Sequence, residues 1–233
     1  VTVRAVPAAA VPCLLMALNP GHALGSILFE ECFSGPLSRN WTLFGEPLPM
    51  ICDSMGLPPP SFDNNGDTMY NSGAISRESF DYTGGLVLEC DMYLTSNERG
   101  AWIHGTLGWS YTPEGRGVDG ATSFDIFLSY SYKGEADWWQ PHLQGTLDAR
   151  VRYPDGTQER HRRFRVNEYL DSWHNYRIVI EEDLRVAFLV DSSLFFRTEA
   201  ALPPDLGDMV IVLGDRSNAW GRVFHDNIVV RTP

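Results

Sequence analysis

From residue 27 onward, hydrophobic and polar positions alternate with a period of two, in short runs separated by Gly, Pro, Asn and Asp. The runs predict about a dozen strands, at 27–33, 69–79, 85–95, 101–111, 122–132, 146–153, 158–166, 173–182, 184–191, 193–198, 208–214 and 222–231. In 122–132, Phe124, Ile126, Leu128, Tyr130 and Tyr132 share one face while Asp125, Ser129 and Ser131 share the other, so one face is buried. Pro154-Asp155-Gly156-Thr157, Glu182-Asp183 and Asp191-Ser192-Ser193 have the composition of tight turns and predict three hairpins. The stretch 158–172 carries enough Arg, Glu and Leu for a helix, but Phe164 and Val166 alternate with Arg163 and Arg165, which favours a strand.

Strands with no helices between them, in a chain of 233 residues, predict one all-β domain, a two-sheet antiparallel β-sandwich. The 35 residues from 34 to 68 are the exception. They are rich in Pro and Gly, contain Pro58-Pro59-Pro60 and Asp63-Asn64-Asn65-Gly66-Asp67, and read as a long loop that is functional or pinned by something.

Residues 1–25 differ from the rest. A basic Arg4, an apolar and small stretch from Ala5 to Leu18, and Ala23-Leu24-Gly25 have the layout of a secretory signal peptide cleaved after Gly25. The expected mature domain is then 26–233, secreted, extracellular or periplasmic, with no segment long enough to span a membrane. Cys32, Cys52 and Cys90 remain in that domain. In an oxidising compartment Cys32 and Cys52 are the pair expected to close a loop, whereas Cys90 lies in phase with Leu86, Leu88 and Met92 and reads as a buried thiol.

Composition narrows the partners. Hydrophobic residues make up 43% and aromatics 12% of the chain, enough for a sizeable core, and the net charge of -12 repels phosphate backbones, so nucleic acid is not an expected partner. Against that acidic background, six of the seventeen Arg residues fall between 150 and 165. Read with a four-residue turn at 154–157, Arg150 and Arg152 share an outward face with Arg163 and Arg165. Guanidinium forks on such a stripe suit carboxylate or sulfate groups. Trp138 and Trp139, in the polar context Lys133-Gly134-Glu135-Ala136-Asp137, are candidates for stacking on a sugar ring. Trp41, Trp109, Trp173 and Trp220 are expected in the core. The six His residues lack zinc-ligand spacing.

Three stretches resemble a known family. Phe29-Glu30-Glu31-Cys32-Phe33-Ser34-Gly35 followed by Trp41 is similar to the opening strand of concanavalin A-like lectin/glucanase domains, the LamG-like jelly rolls. Trp173 to Ile178, Val186 to Asp191 and Leu194 to Phe196 resemble their central hairpins, and His225 to Val230 their closing strand. The resemblance implies a jelly-roll sandwich that binds carbohydrate, in the manner of a lectin. It also implies a structural Ca2+ held by Glu30, Gly66 and Asp226, which would join the chain ends. Glucanases of the family carry Glu-x-Asp-x-x-Glu on one strand; here Glu89 and Asp91 match the first two places, but Leu94 stands in the third. A hydrolase or lyase using Glu89 and Asp91 is therefore the alternative to a lectin, and a structural or adhesion protein that contacts itself or another protein is the third reading.

Overall fold

The structure, a computed structural model, describes residues 25–65, 72–95, 102–111, 125–133, 145–214 and 222–233. Two antiparallel sheets form two layers. The eight-stranded sheet contains β1 (Ile27–Glu31), β3 (Met50–Cys52), β4 (Ser61–Asp63), β6 (Leu86–Leu94), β11 (Trp173–Ile180), β12 (Val186–Val190), β13 (Ser193–Arg197) and β15 (Val223–Arg231). Its order is β13-β12-β11-β6-β15-β4-β3, with β1 also pairing with β15. The seven-stranded sheet contains β2 (Trp41–Phe44), β5 (Gly73–Phe80), β7 (Trp102–Ser110), β8 (Ile126–Lys133), β9 (Thr146–Arg152), β10 (Gln158–Phe164) and β14 (Met209–Gly214), in the order β10-β9-β8-β7-β14-β5-β2. The only helix among the described residues is one 3-10 turn, Leu37–Arg39. No helix among them is long and apolar enough to cross a membrane.

The alternation seen in the sequence sets the layers. On β6, Leu86, Leu88, Cys90, Met92 and Leu94 are fully buried between the sheets, while Glu89, Asp91 and Tyr93 point outward and are half-buried. On β8, Ile126, Leu128 and Tyr130 meet the same core from the other sheet. Burying a large apolar side chain contributes about 1.5–3 kcal/mol, so these opposed rows hold the layers together. Trp41 and Trp109 lie in the core as expected. Trp173 does not: it pairs with Tyr93 on the outer face of the eight-stranded sheet, its ring 5.5 Å from the Tyr93 ring. Trp220 lies outside the described residues.

The three expected hairpins form. Residues 158–164 are strand, and the alternative of a helix there is set aside. Residues 34–65, read as loop, include β2, β3 and β4 and are pinned to β15. The Asp226 carboxylate accepts the Leu57 N–H at 2.6 Å, Asn227 donates to the Leu57 carbonyl at 3.0 Å, and the Asp63 carboxylate accepts from the Arg222 guanidinium. The segment is thus tied by polar groups of the closing strand, which alternation alone does not reveal. Cys52 and Cys90 are free thiols, so the Cys32–Cys52 bridge is not made. Cys90 is fully buried, and burial raises its pKa well above the ordinary thiol value.

Candidate functional site

The face of the seven-stranded sheet that points away from the core carries a polar row unlike the rest of the molecule. Its register follows from one turn. Tyr153 N donates to Thr157 O at 2.9 Å around Gly156, which has φ 85, so the loop between β9 and β10 holds three residues. Arg150 then sits opposite Arg160, Asp148 opposite Arg162, and Arg152 opposite Gln158. The expected stripe is therefore corrected. Arg150 and Arg152 share their face with Arg160 and Arg162, whereas Arg163 pairs with Leu147, which faces the core, and Arg165 lies past the strand end at φ 61. Arg163 lies 4.0 Å from Glu168 in solvent. A three-residue loop in place of a four-residue one shifts the pairing by one residue and turns every side chain of β10 over.

The outward row continues across the sheet. Phe127 lies beside Arg150, Ser129 beside Asp148 and Ser131 beside Thr146, with Gly108, Thr106 and His104 of β7 next in line. Ser129, Ser131, Thr146, Asp148 and Arg150 are all buried although they face away from the core. The Asp148 carboxylate receives a bidentate fork from Arg160, Nε to Oδ1 at 2.8 Å and Nη2 to Oδ2, and Arg162 Nε lies 3.4 Å from the same group. Asp125, at the mouth of β8, accepts the Ser110 hydroxyl at 2.9 Å and the Tyr111 N–H at 3.1 Å. Both local carboxylates are therefore engaged. Arg150 lies over the Phe127 ring, its Cζ 4.5 Å from the ring centroid. Its Nε and Nη2 are buried without a hydrogen-bond partner among the described residues. Burial, then the charges of Arg152 and Arg160, lower its pKa to about 10, so the guanidinium stays charged at neutral pH. Among the described residues, four guanidinium groups (150, 152, 160, 162) face two carboxylates (125, 148), an excess of two positive charges on an acidic protein.

Trp138 and Trp139, the expected stacking residues, lie outside the described residues, and so does Gly66. A cavity of about 480 Å³ opens at the β9–β10 turn, lined by Tyr153, Asp155, Thr157, Glu159, Ala200 and Pro203. Glu159 is occupied there by the Tyr153 hydroxyl and by the N–H groups of Glu199 and Ala200.

Glu89 and Asp91 lie on the opposite side of the molecule, on the outer face of the eight-stranded sheet. Glu89 sits between Arg177 at 2.9 Å and Arg231 at 2.6 Å, and Asp91 accepts from Asn175 at 3.0 Å and Asn227 at 2.9 Å. They tie β6 to its two neighbours, and Leu94, in the third motif position, is in the core. On the same face is an arrangement the sequence reading missed. Ser172 Oγ lies 2.7 Å from His174 Nε2, and His174 Nδ1 lies 2.7 Å from Asp191 Oδ2. Asp191 Oδ1 accepts the Asn175 N–H at 3.0 Å, and the Tyr169 ring meets the imidazole edge-on at 4.8 Å. Ser-x-His before a hairpin turn with Asp at its end was the available signal.

Of the three residues expected to hold calcium, Gly66 lies outside the described residues, and Glu30 and Asp226 occupy separate positions. Glu30 is exposed and pairs with Val229, which an irregularity in β15 separates from Asp226. Both oxygens of the buried Asp226 are held by the Leu57 and Asn227 N–H groups, and burial, then the charges of Asp91 and Glu31, raise its pKa to about 6. A dication site favours the ionised carboxylate and several oxygens within 2.3–2.6 Å. No group of three or more His, Cys, Asp or Glu among the described residues is placed to hold a metal. The acidic residue of the opening strand that is engaged is Glu31, which accepts from Phe33 N, Asn40 Nδ2 and Trp41 Nε1 at 2.7, 2.7 and 3.2 Å.

No family model matches the sequence, and no curated protein does. Solved structures do match. The globular domain of T. cruzi calreticulin superposes with a TM-score of 0.62 at 13% identity, over 89% of this chain and 88% of that one. A glycoside hydrolase family 16 endo-glucanase from Bacteroides ovatus gives 0.58 at 12% identity, over 88% and 100%. The carbohydrate recognition domain of Emp47p gives 0.53 at 11%, over 85% and 99%. The chain has the concanavalin A-like jelly-roll fold. Lectin and hydrolase domains share this concanavalin A-like sandwich, so the fold alone does not choose between them.

Proposed function

We propose that this protein binds carbohydrate, an acidic polysaccharide, through the outer face of its seven-stranded sheet. The observation that carries the proposal is the composition of that face. Hydroxyls (Thr106, Ser129, Ser131, Thr146), a carboxylate and guanidinium groups stand in register over β7 to β10, with an aromatic ring among them and a surplus of positive charge. Such groups bind sugar hydroxyls and acidic substituents. The carbohydrate recognition domain among the similar structures lends this reading a precedent in the same fold. Secretion, expected from residues 1–25, belongs to the same proposal, since such polysaccharides are met outside the cell. The test is equilibrium binding to a panel of neutral and acidic polysaccharides, with reducing ends assayed in parallel. Saturable binding to an acidic member without release of reducing ends is expected. Absence of binding to every member would leave the adhesion reading in its place.

A second reading, hydrolysis of an ester, is favoured by one observation: Ser172, His174 and Asp191 follow the nucleophile, base and orienting-acid order of a hydrolytic relay. It ranks below carbohydrate binding because Ser172 Oγ also lies 3.2 Å from the Leu170 carbonyl, which makes the relay equally a clip on the β11–β12 hairpin. Labelling of Ser172 by a fluorophosphonate probe, lost in a His174→Ala variant, is the expected result if the relay is catalytic. An unlabelled native protein assigns it to the clip.

A further inference from the structure

Resting on the carbohydrate reading above, we propose that Arg150 recognises one chemical group on that ligand, the planar carboxylate of a uronic acid residue. Nε and Nη2 are the two that point along the same edge of a guanidinium, and they are the two that Arg160 directs at Asp148 a few ångströms away. Arg150 has the same two-pronged fork, buried and without a hydrogen-bond partner among the described residues. Its one-strand neighbour Asp148 is taken by Arg160 and approached by Arg162, and Asp125 is taken by Ser110 and Tyr111. The protein therefore holds a charged group, only 8% exposed, with its best acceptors committed elsewhere. A buried, unpaired charge is strongly unfavourable, and native proteins rarely keep an unsatisfied buried donor without a use for it.

Geometry narrows the ligand. The Phe127 ring lies 4.5 Å from the guanidinium carbon and closes that side, so the proposed contact is with the Nε and Nη2 fork. Two parallel N–H donors saturate the two oxygens of one carboxylate. A sulfate ester carries three terminal oxygens, and the fork leaves the third without a donor in a buried position, a costly arrangement. Arg160 lies directly opposite Arg150 and its side chain is 31% exposed, so the proposed approach of a sugar acid is from the β10 edge.

The test uses the full chain and three probes: polygalacturonate, the same polymer with its carboxyl groups reduced to alcohols, and dextran sulfate. Calorimetric titration of the unaltered protein is expected to show tight binding to polygalacturonate and much weaker binding to the other two. Arg150→Lys keeps the charge but not the fork, and Arg150→Met removes both. Each is expected to lower polygalacturonate affinity by about tenfold to a hundredfold without altering the residual affinity for the reduced polymer. Arg150→Met is also expected to raise Tm, because a buried unpaired charge is removed. Equal affinity for the acidic and reduced polymers, unaltered in both variants, would overturn the carboxylate assignment and leave carbohydrate binding standing. Equal binding of dextran sulfate, or a lowered Tm in Arg150→Met, would also overturn it. Failure of all three probes to bind would remove both the inference and the reading beneath it.

Discussion

Arg222→Ala is expected to destabilise the fold by about 3 kcal/mol, more than Asp63→Asn at the other end of the same ion pair, which is expected to cost about 1 kcal/mol. The asymmetry comes from burial. The Asp63 side chain has no exposed surface and the Arg222 side chain is about half exposed, at 48%. Without Arg222, a buried carboxylate keeps, among the described residues, the Asn65 N–H at 2.9 Å as its partner. Without the charge on Asp63, the guanidinium turns to water, and the asparagine oxygen still accepts from Asn65. The lower end of the range for broken buried pairs applies because Arg222 already samples solvent. Urea denaturation of the two variants checks the order. A larger loss in Asp63→Asn would contradict this order, since it would show that the Asp63 carboxylate contributes more than its pairing with Arg222.

Two neighbouring residues are expected to give the stability opposite dependences on pH. His225 is fully buried, with Nε2 3.2 Å from the Thr106 carbonyl; Nε2 must donate there, which leaves Nδ1 bare and without a partner. Burial lowers its pKa to about 4 from the ordinary 6.5. The unfolded chain therefore takes up a proton first as pH falls, and the stability His225 confers is present above pH 6.5 and is lost toward pH 4. Asp226 runs the other way. Burial raises its pKa to about 6 from 3.8, so the folded state holds the proton more tightly, and stability falls as pH rises from 4 to 6. Each amounts to about 3 kcal/mol at 1.36 kcal/mol per pKa unit, and the two oppose each other over the same window. Asp226→Asn removes the falling branch. Relative to the unaltered protein, its stability is expected to increase by about 3 kcal/mol between pH 4 and pH 6.5. Denaturation curves at four pH values across that range measure it, and parallel profiles for the two proteins would contradict it.

Much of the fold was legible because both sheets bury one face against the other. Ile126, Leu128 and Tyr130 announce an inward row, and so do Leu86, Leu88, Cys90 and Met92. β10 offered no such guide. It is an edge strand whose residues on both faces are polar: His161 turns toward Phe195 and Phe196, while the apolar Phe164 is 42% exposed on the outward side. Only the turn fixes its register, and reading that turn one residue too long placed Arg163 and Arg165 where Arg160 and Arg162 stand. The same limit hid the pairing of Asp148. Trp173 is expected in the core, yet it starts β11 opposite Tyr93 on the outer face. The polar ties from Asp226, Asn227 and Arg222 to residues 57–63 were illegible for a different reason, since they join positions about 160 residues apart by side-chain hydrogen bonds that leave no period in the sequence.

The location of the binding face is the centre of this account, and a nuclear magnetic resonance titration tests it most directly. With 15N-labelled protein and an oligogalacturonate, the backbone resonances of β8, β9 and β10 are expected to move, together with the Nε–H signal of Arg150, while those of β6, β11 and β12 stay in place. Shifts confined to Glu89, Asp91 and their neighbours on the eight-stranded sheet, with β8 to β10 unaltered, would contradict it.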